Sequence, residues 1–318
     1  MPTETALSDL TTLEYYCKLQ HIGISSSGFG KSATPEYAFE KYAELRDRKS
    51  IRSERKIQLE LEVGADHTNV IYESLPAYKR LARRSGVIVN AVHANPNKNL
   101  ASEDEAVRQD GIDYSKKAVD VARELGADRV VIHPGYEFVD ETYRKRFPDK
   151  GTFEKAAESI AEIAEYAMPS GIKLCIENLR HEGAIGSSPE RLLGIVKIAR
   201  EKCSSKFAGK LIGATIDLGH LNTTAKYGVS DYLRVLDGGR DVYHTHLHYN
   251  NGKDDEHLPM IQVDPVWEAK LTALGNGLWS RRATSTMEIN PLEESDVVGS
   301  IDTLYKNKYF KGHKCPST

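Results

Sequence analysis

The chain has 318 residues, of which 40% are hydrophobic and 28% charged, and a formal net charge of -3 at neutral pH. These are the proportions of an ordinary soluble globular protein, with no apolar run of the roughly 20 residues that a membrane-spanning helix needs. The mildly acidic balance gives no overall attraction to phosphate backbones; a local basic groove would be required, so nucleic acid is an open but not the expected partner.

The first segment, MPTETALSDLTTLEYYCKLQ, has no basic stretch followed by an apolar core. No secretory leader is therefore expected, and the predicted location is cytoplasmic. Cys17, Cys175, Cys203 and Cys315 are scattered without a C-x-x-C pair, which argues against a disulfide framework and against a thiolate zinc knot. Residues 1–16 read as an extension, and 17–318 as a single domain. Along that domain, short β-branched runs recur: LQHIGIS, KIQLELEV, VIVNAVH, RVVIHPG, IKLCIEN, LIGATIDLG, DVYHTHLH and ATSTMEIN. Between them lie charged segments of helical period, such as EDEAVRQDGIDYSKKAVDVARELGA and SPERLLGIVKIAREKC. Several open on Asp, Ser or Pro and close on Gly, as capped helices do. Eight such alternations without a linker predict an α/β fold of one closed (β/α)8 TIM barrel, not an open doubly wound sheet.

Residues able to bind a metal stand at or just past the ends of strands three to eight: His93, His133, Glu177, Asp217, His246 and Glu288. In a barrel those ends converge on one face, where active sites are built. The following loops add His220, Asp255 and His257. Taken singly, each has a plainer role. An isolated histidine usually packs or hydrogen-bonds, and an acidic residue at a strand end commonly caps the next helix. The joint placement outweighs those roles, since caps alone would use Ser, Thr and Asn as often. Nine N and O donors without cysteine suit a zinc or manganese site that does chemistry. His244, His246 and His248 alternate at period two and face the same side of strand seven, which is expected to end near Tyr249. Glu60 and Glu62 on strand two either face the mouth, enter a buried ion pair or stand on a solvent-facing edge. His21, His67, His181 and His313 are read as loop or surface residues.

In order and spacing, VHANPNKNL, IHPG, IENLRHEGAIGSSPERL, IDLGH, HLHYNNGKDDEHL and MEINP resemble the xylose-isomerase-like TIM barrel superfamily. That superfamily includes sugar isomerases and epimerases and the AP endonucleases of the endonuclease IV type. The resemblance implies that Glu177, Asp217, His246 and Glu288 are the shared metal ligands. It further implies that His93, His133, His220, Asp255 and His257 are the extra ligands of a three-metal endonuclease, so that one to three Zn2+ or Mn2+ ions are expected. Several positions depart from the endonuclease pattern. LPMIQVDP stands where those enzymes have Leu-Gly-Glu-Gly, Pro96 stands where they carry a DNA-probing tyrosine, and His248-Tyr249 replaces Asn-Asp. The loop SSSGFGKSATPEY has one lysine and no arginine.

The expected function is a metal-dependent isomerase or epimerase of a sugar or sugar-like substrate acting through an enediolate. Glu177 and Glu288 would serve as base and acid, with His220 on the substrate. The alternative is a phosphodiester hydrolase in which Glu177 bridges two ions. A lyase or dehydratase of the same enolate chemistry, a non-catalytic barrel and a homo-oligomer all remain compatible with the sequence.

Overall fold

The computed structural model of the chain describes residues 22–26, 35–47, 58–62, 72–138, 151–224, 226–278, 283–290 and 293–306. The extension read over 1–16, most of the loop after the first strand, and His21, His67, His313, Cys17 and Cys315 lie outside the described residues.

Eight parallel strands close into a barrel in sequence order. They are β1 (Ile22–Ser25), β2 (Gln58–Glu62), β3 (Val89–His93), β4 (Arg129–Ile132), β5 (Lys173–Glu177), β6 (Ile212–Asp217), β7 (Val242–Leu247) and β8 (Thr284–Met287). Closure runs through the β1–β8 pair, with Ile22 beside Ser285 and Ile24 beside Met287. Every position of β3, β4 and β6 is buried. Helices cover one face of each strand and side chains fill the barrel from the other, which is why these runs are apolar without alternation. Among the described residues no helix is long and apolar enough to cross a membrane.

The helices begin and end where their capping residues allow. In α3 (Glu105–Leu125) the Asp104 carboxylate accepts from the N–H groups of Ala106 and Val107, and Gly126 takes the left-handed conformation that stops the helix. Thr152 caps α4 (Phe153–Ala167) and Ser188 caps α5 (Pro189–Lys202), whose first turn carries Pro189. Each side-chain cap contributes about 1 kcal/mol, and together they fix where the loops at the strand ends stop. The buried faces, such as Ile160, Ile163 and Ala164 of α4 and Leu192, Ile195 and Val196 of α5, join one continuous core around the barrel.

Two local features differ from the sequence expectation. His220 lies not in a loop but in a short helix, α7 (Leu218–Thr224). That helix starts immediately after β6 because Asp217 Oδ1 accepts from the His220 N–H at 2.7 Å, so Asp217 both ends a strand and caps a helix. The second concerns β7, which ends at Leu247 rather than near Tyr249. Tyr249 and Leu258 then exchange two backbone hydrogen bonds of 2.8 Å in an antiparallel bridge. This pinch folds residues 250–257 over the end of the barrel and brings Asp255 and His257 to it.

Register sets the depth of each side chain. His246 is level with Asp217 and Thr286, whereas His244 is level with Thr215 and Thr284. Glu60 on β2 is level with Ala91, two residues below His93. At about 3.3 Å per residue, Glu60 and His244 therefore sit one inward-facing layer, roughly 7 Å, beneath the strand ends.

Candidate metal centre

Glu177, Asp217, His246 and Glu288 come together at the ends of β5 to β8, each offering one ligand atom within 4.8 Å of the others. His246 presents Nδ1 to this group, 3.1 Å from Glu177 Oε1, 3.5 Å from Glu288 Oε2 and 3.7 Å from Asp217 Oδ2. Asp217 is fully buried, and its Oδ2 has no hydrogen-bond partner among the described residues. A buried carboxylate oxygen is costly to leave unmatched, so this atom marks where positive charge belongs.

Two further groups flank the tetrad, and one of them shares Glu177 with it. Glu177 Oε2 lies 3.2 Å from His93 Nε2 and 3.0 Å from His133 Nε2, so Glu177 faces the tetrad with one oxygen and this pair with the other. On the opposite side His248, Asp255 and His257 form a second candidate group. His220 touches it through Nε2, 3.2 Å from Asp255 Oδ2, but stands outside the triplet itself. All nine residues predicted from the sequence are therefore gathered at one end of the barrel. His248 joins them. The sequence placed it on the inward face of β7 but gave it no role, and the sign available was its period-two spacing from His246.

The ring orientations are prepared by the backbone. His93 Nδ1 donates to the Ala94 carbonyl at 2.7 Å, His220 Nδ1 to the Asn178 carbonyl at 2.9 Å, and His257 Nδ1 to the Glu288 carbonyl at 2.8 Å. With Nδ1 carrying the proton, Nε2 of each ring is left toward a carboxylate, as a metal-binding histidine requires. Asn178 also holds the ends of β5 and β6 together, accepting from the Asp217 N–H at 2.6 Å and donating to the Asp217 carbonyl at 3.1 Å. His257 adopts a φ of +52°, a left-handed conformation that costs a non-glycine residue free energy and that recurs at functional sites. Its ring stacks on that of His248 at 3.9 Å.

Electrostatics divide the carboxylates. Burial opposes ionisation of Glu177, but the charges of His246 and His133 outweigh it and hold the carboxyl well below its ordinary value. Glu288 moves the other way, pushed up to about 7 by burial and by the neighbouring Glu177 charge. Burial also works against the charged form of His93, yet Glu177 draws it up to about 10; His257 rises to about 9 against burial through Asp255 and Glu288. His246 rises well above its ordinary value under Glu288, Glu60 and Glu177, despite burial. Protons on these rings supply the positive charge that the carboxylates demand, and a divalent cation would replace them. The N and O donors, the absence of thiolate and the unmatched Asp217 oxygen all fit such a cation.

Beneath the tetrad, Glu60 pairs with His244 and His246 at 2.8 and 3.0 Å, all three side chains wholly buried. Of the roles open to Glu60 from the sequence, the buried ion pair is the one adopted.

Residues 57–275 match the family model described as xylose isomerase-like TIM barrel. An uncharacterized protein of Methanocaldococcus jannaschii is 34% identical over 168 residues, covering 50% of this chain and 50% of its own length. The D-psicose 3-epimerase of Agrobacterium fabrum is 31% identical over 123 residues, 37% of this chain and 42% of that protein. The chain thus spans about half the length of the first relative and less than half of the second. A crystal structure of a D-tagatose 3-epimerase-like protein superposes with a TM-score of 0.68 at 27% identity, covering 91% of this chain and 97% of that one. With the family model spanning well over half of its residues and the eight-stranded closed barrel in place, the chain belongs to the xylose isomerase-like TIM barrel family.

Proposed function

We propose that this protein is a divalent-metal-dependent epimerase or isomerase of a ketose or a similar small polyol, acting through an enediolate. The observation that carries the reading is the convergence of Glu177, Asp217, His246 and Glu288, with Glu177 held ionised and Glu288 raised to about 7. Similarity to a D-psicose 3-epimerase and to a D-tagatose 3-epimerase-like protein supports a sugar substrate. The four residues would hold Zn2+ or Mn2+. A bound cation supplies polarisation of adjacent carbonyl and hydroxyl oxygens, which acidifies the C–H bond between them.

The chain's own groups then move the proton. Glu177 stays ionised and takes the proton from one face of the carbon, while the pair of electrons left behind is shared with the neighbouring carbonyl oxygen as an enediolate. Glu288, raised to about 7 before a cation binds and so able to carry a proton near neutrality, returns a proton to the other face as the carbonyl re-forms. Exchange with solvent restores both glutamates. His220 is assigned to a substrate hydroxyl. A small polyol substrate and scattered cysteines suit a cytoplasmic enzyme.

Deuterium oxide tests this directly, since the proton delivered by Glu288 comes from solvent. The metal-loaded protein, incubated with a panel of ketohexoses, aldoses and their phosphates, should label the carbon beside the carbonyl of at least one sugar. Labelling should vanish with chelator and with Glu288→Gln. Absence of exchange across the panel in zinc- and manganese-loaded protein would overturn the reading.

A second reading, phosphodiester hydrolysis, is favoured by one observation: the flanking groups His93/His133/Glu177 and His248/Asp255/His257 make room for further cations. Glu177 would then bridge ions, and a carboxylate so committed is a poor proton abstractor. Salt-sensitive cleavage of an abasic-site duplex would establish that alternative; we expect none.

A further inference from the structure

Below the tetrad a line of buried polar groups crosses the barrel. Arg129, at the start of β4, donates through Nη1 to Thr284 Oγ1. Thr284 Oγ1 lies 2.6 Å from His244 Nδ1, and His244 Nε2 lies 2.8 Å from Glu60 Oε2. The other oxygen of Glu60, Oε1, lies 3.0 Å from His246 Nε2. Glu60, His244 and His246 are fully buried, so water does not compete for the bonds to Glu60; Arg129 is 3% exposed and Thr284 partly buried.

The chemistry of the two ends leaves one direction for every proton. An ionised carboxylate has acceptors only, so both Nε2 atoms facing Glu60 carry hydrogen. In neutral His244 this leaves Nδ1 bare, so Nδ1 accepts the Thr284 hydroxyl hydrogen, while Thr284 Oγ1 accepts from Arg129, whose guanidinium has donors only. His246 is thereby fixed with N–H at Nε2, and Nδ1 is the nitrogen left for the tetrad. His93, His220 and His257 use a backbone carbonyl to fix Nδ1–H and leave Nε2 free. His246 is turned the opposite way round and has no carbonyl in this place.

We propose that Glu60 is a positioning residue: through the Arg129–Thr284–His244–Glu60 line it fixes the tautomer and ring orientation of His246, so that Nδ1 is the atom offered to the cation. The last link rests on the metal reading above, whereas the tautomer of His244 does not. Glutamine at position 60 breaks the direction without removing the side chain. Its amide accepts from one ring but donates to the other, and that ring must move its proton to Nδ1.

The test combines metal affinity with the tautomers themselves. In protein carrying 15N-histidine, long-range 1H–15N spectra should show His244 as the neutral Nε2–H form with or without zinc, and His246 with Nε2–H and a zinc-shifted Nδ1 after loading. Chelator competition should give Glu60→Gln a zinc affinity about 10- to 100-fold below wild type, the range found when a partner behind a metal-bound histidine is lost. Thermal unfolding of the metal-free variant should show that it still folds. His244 carrying its proton on Nδ1, His246 binding zinc through Nε2, or wild-type affinity in Glu60→Gln would each overturn the proposal. If wild-type protein takes up no zinc, the metal reading fails, and the His244 tautomer in the metal-free chain still decides whether the line runs as described. If Glu60→Gln does not fold, the wild-type spectra decide it.

Discussion

The mouth of the barrel and the layer directly beneath it are built from the same residue types and reach opposite states. In the lower layer both oxygens of Glu60 and both ring nitrogens of His244 have partners inside the chain, and the unmatched atoms at that level, among them Arg129 Nε and Thr215 Oγ1, belong to neither. At the mouth Asp217 Oδ2, His133 Nδ1, Asp255 Oδ1 and both ring nitrogens of His248 have no hydrogen-bond partner among the described residues, although carboxylates and imidazoles crowd together there. A closed polar network serves to hold a structure, and an open one serves to receive something. The comparison also shows why histidines two residues apart on one strand diverge. Burial pushes His244 down to about 4, so it stays neutral, while the carboxylates around His246 overcome burial and draw it well above its ordinary value.

Substitutions sharpen this contrast. The largest expected effect lies at the mouth: Glu177→Gln and Glu288→Gln should each lower turnover by about 10²–10⁴, the worth of a positioned acid or base, with unfolding temperature close to wild type. A variant of either that keeps its turnover would lose that residue its role. In the lower layer the cost should move from activity to stability. Glu60→Ala leaves Nε2 of two buried imidazoles without a partner and should cost about 3–5 kcal/mol in urea unfolding of the metal-free protein; a loss below about 1 kcal/mol would mean that Glu60 does not tie this layer together.

A smaller effect comes from pH. The folded-state value of His244, about 4, is below the ordinary 6.5, so its contribution is fully present above pH 6.5 and is lost as pH falls toward 4. Over that window it amounts to about 3 kcal/mol, and His244→Gln should flatten that part of the stability profile of the metal-free chain. Metal uptake follows pH in the same sense but in a higher window, because His93 and His257, raised to about 10 and 9, must release protons to bind it. Affinity should therefore rise with pH up to those values, with proton release measurable in weak buffer. Last, Lys41→Ala, which breaks the exposed pair with Glu44, should change stability by less than about 1 kcal/mol and activity not at all.

The barrel was legible because most strands lie in short β-branched runs and several helices carry their own caps, so local chemistry and topology agree. The nine mouth residues were legible because strand ends converge, which turns distant positions such as Glu177 and Glu288 into neighbours. The partnership of Glu60 with His244 was not, since a glutamate on β2 and a histidine on β7 are brought together only by the register around a closed barrel. Nor was the helix that carries His220: it depends on one hydrogen bond from its own N–H to Asp217, which sequence spacing does not specify. His257 was found from its loop motif, but its left-handed backbone is fixed by the fold.

A cation held among Glu177, Asp217, His246 and Glu288 would complete the mouth. Anomalous diffraction from crystals of protein loaded with zinc or manganese locates the ions and counts them. An ion is expected within bonding distance of all four residues, Asp217 Oδ2 included. Anomalous density confined to other parts of the surface, or a tetrad that stays metal-free in saturating zinc and manganese, would contradict it.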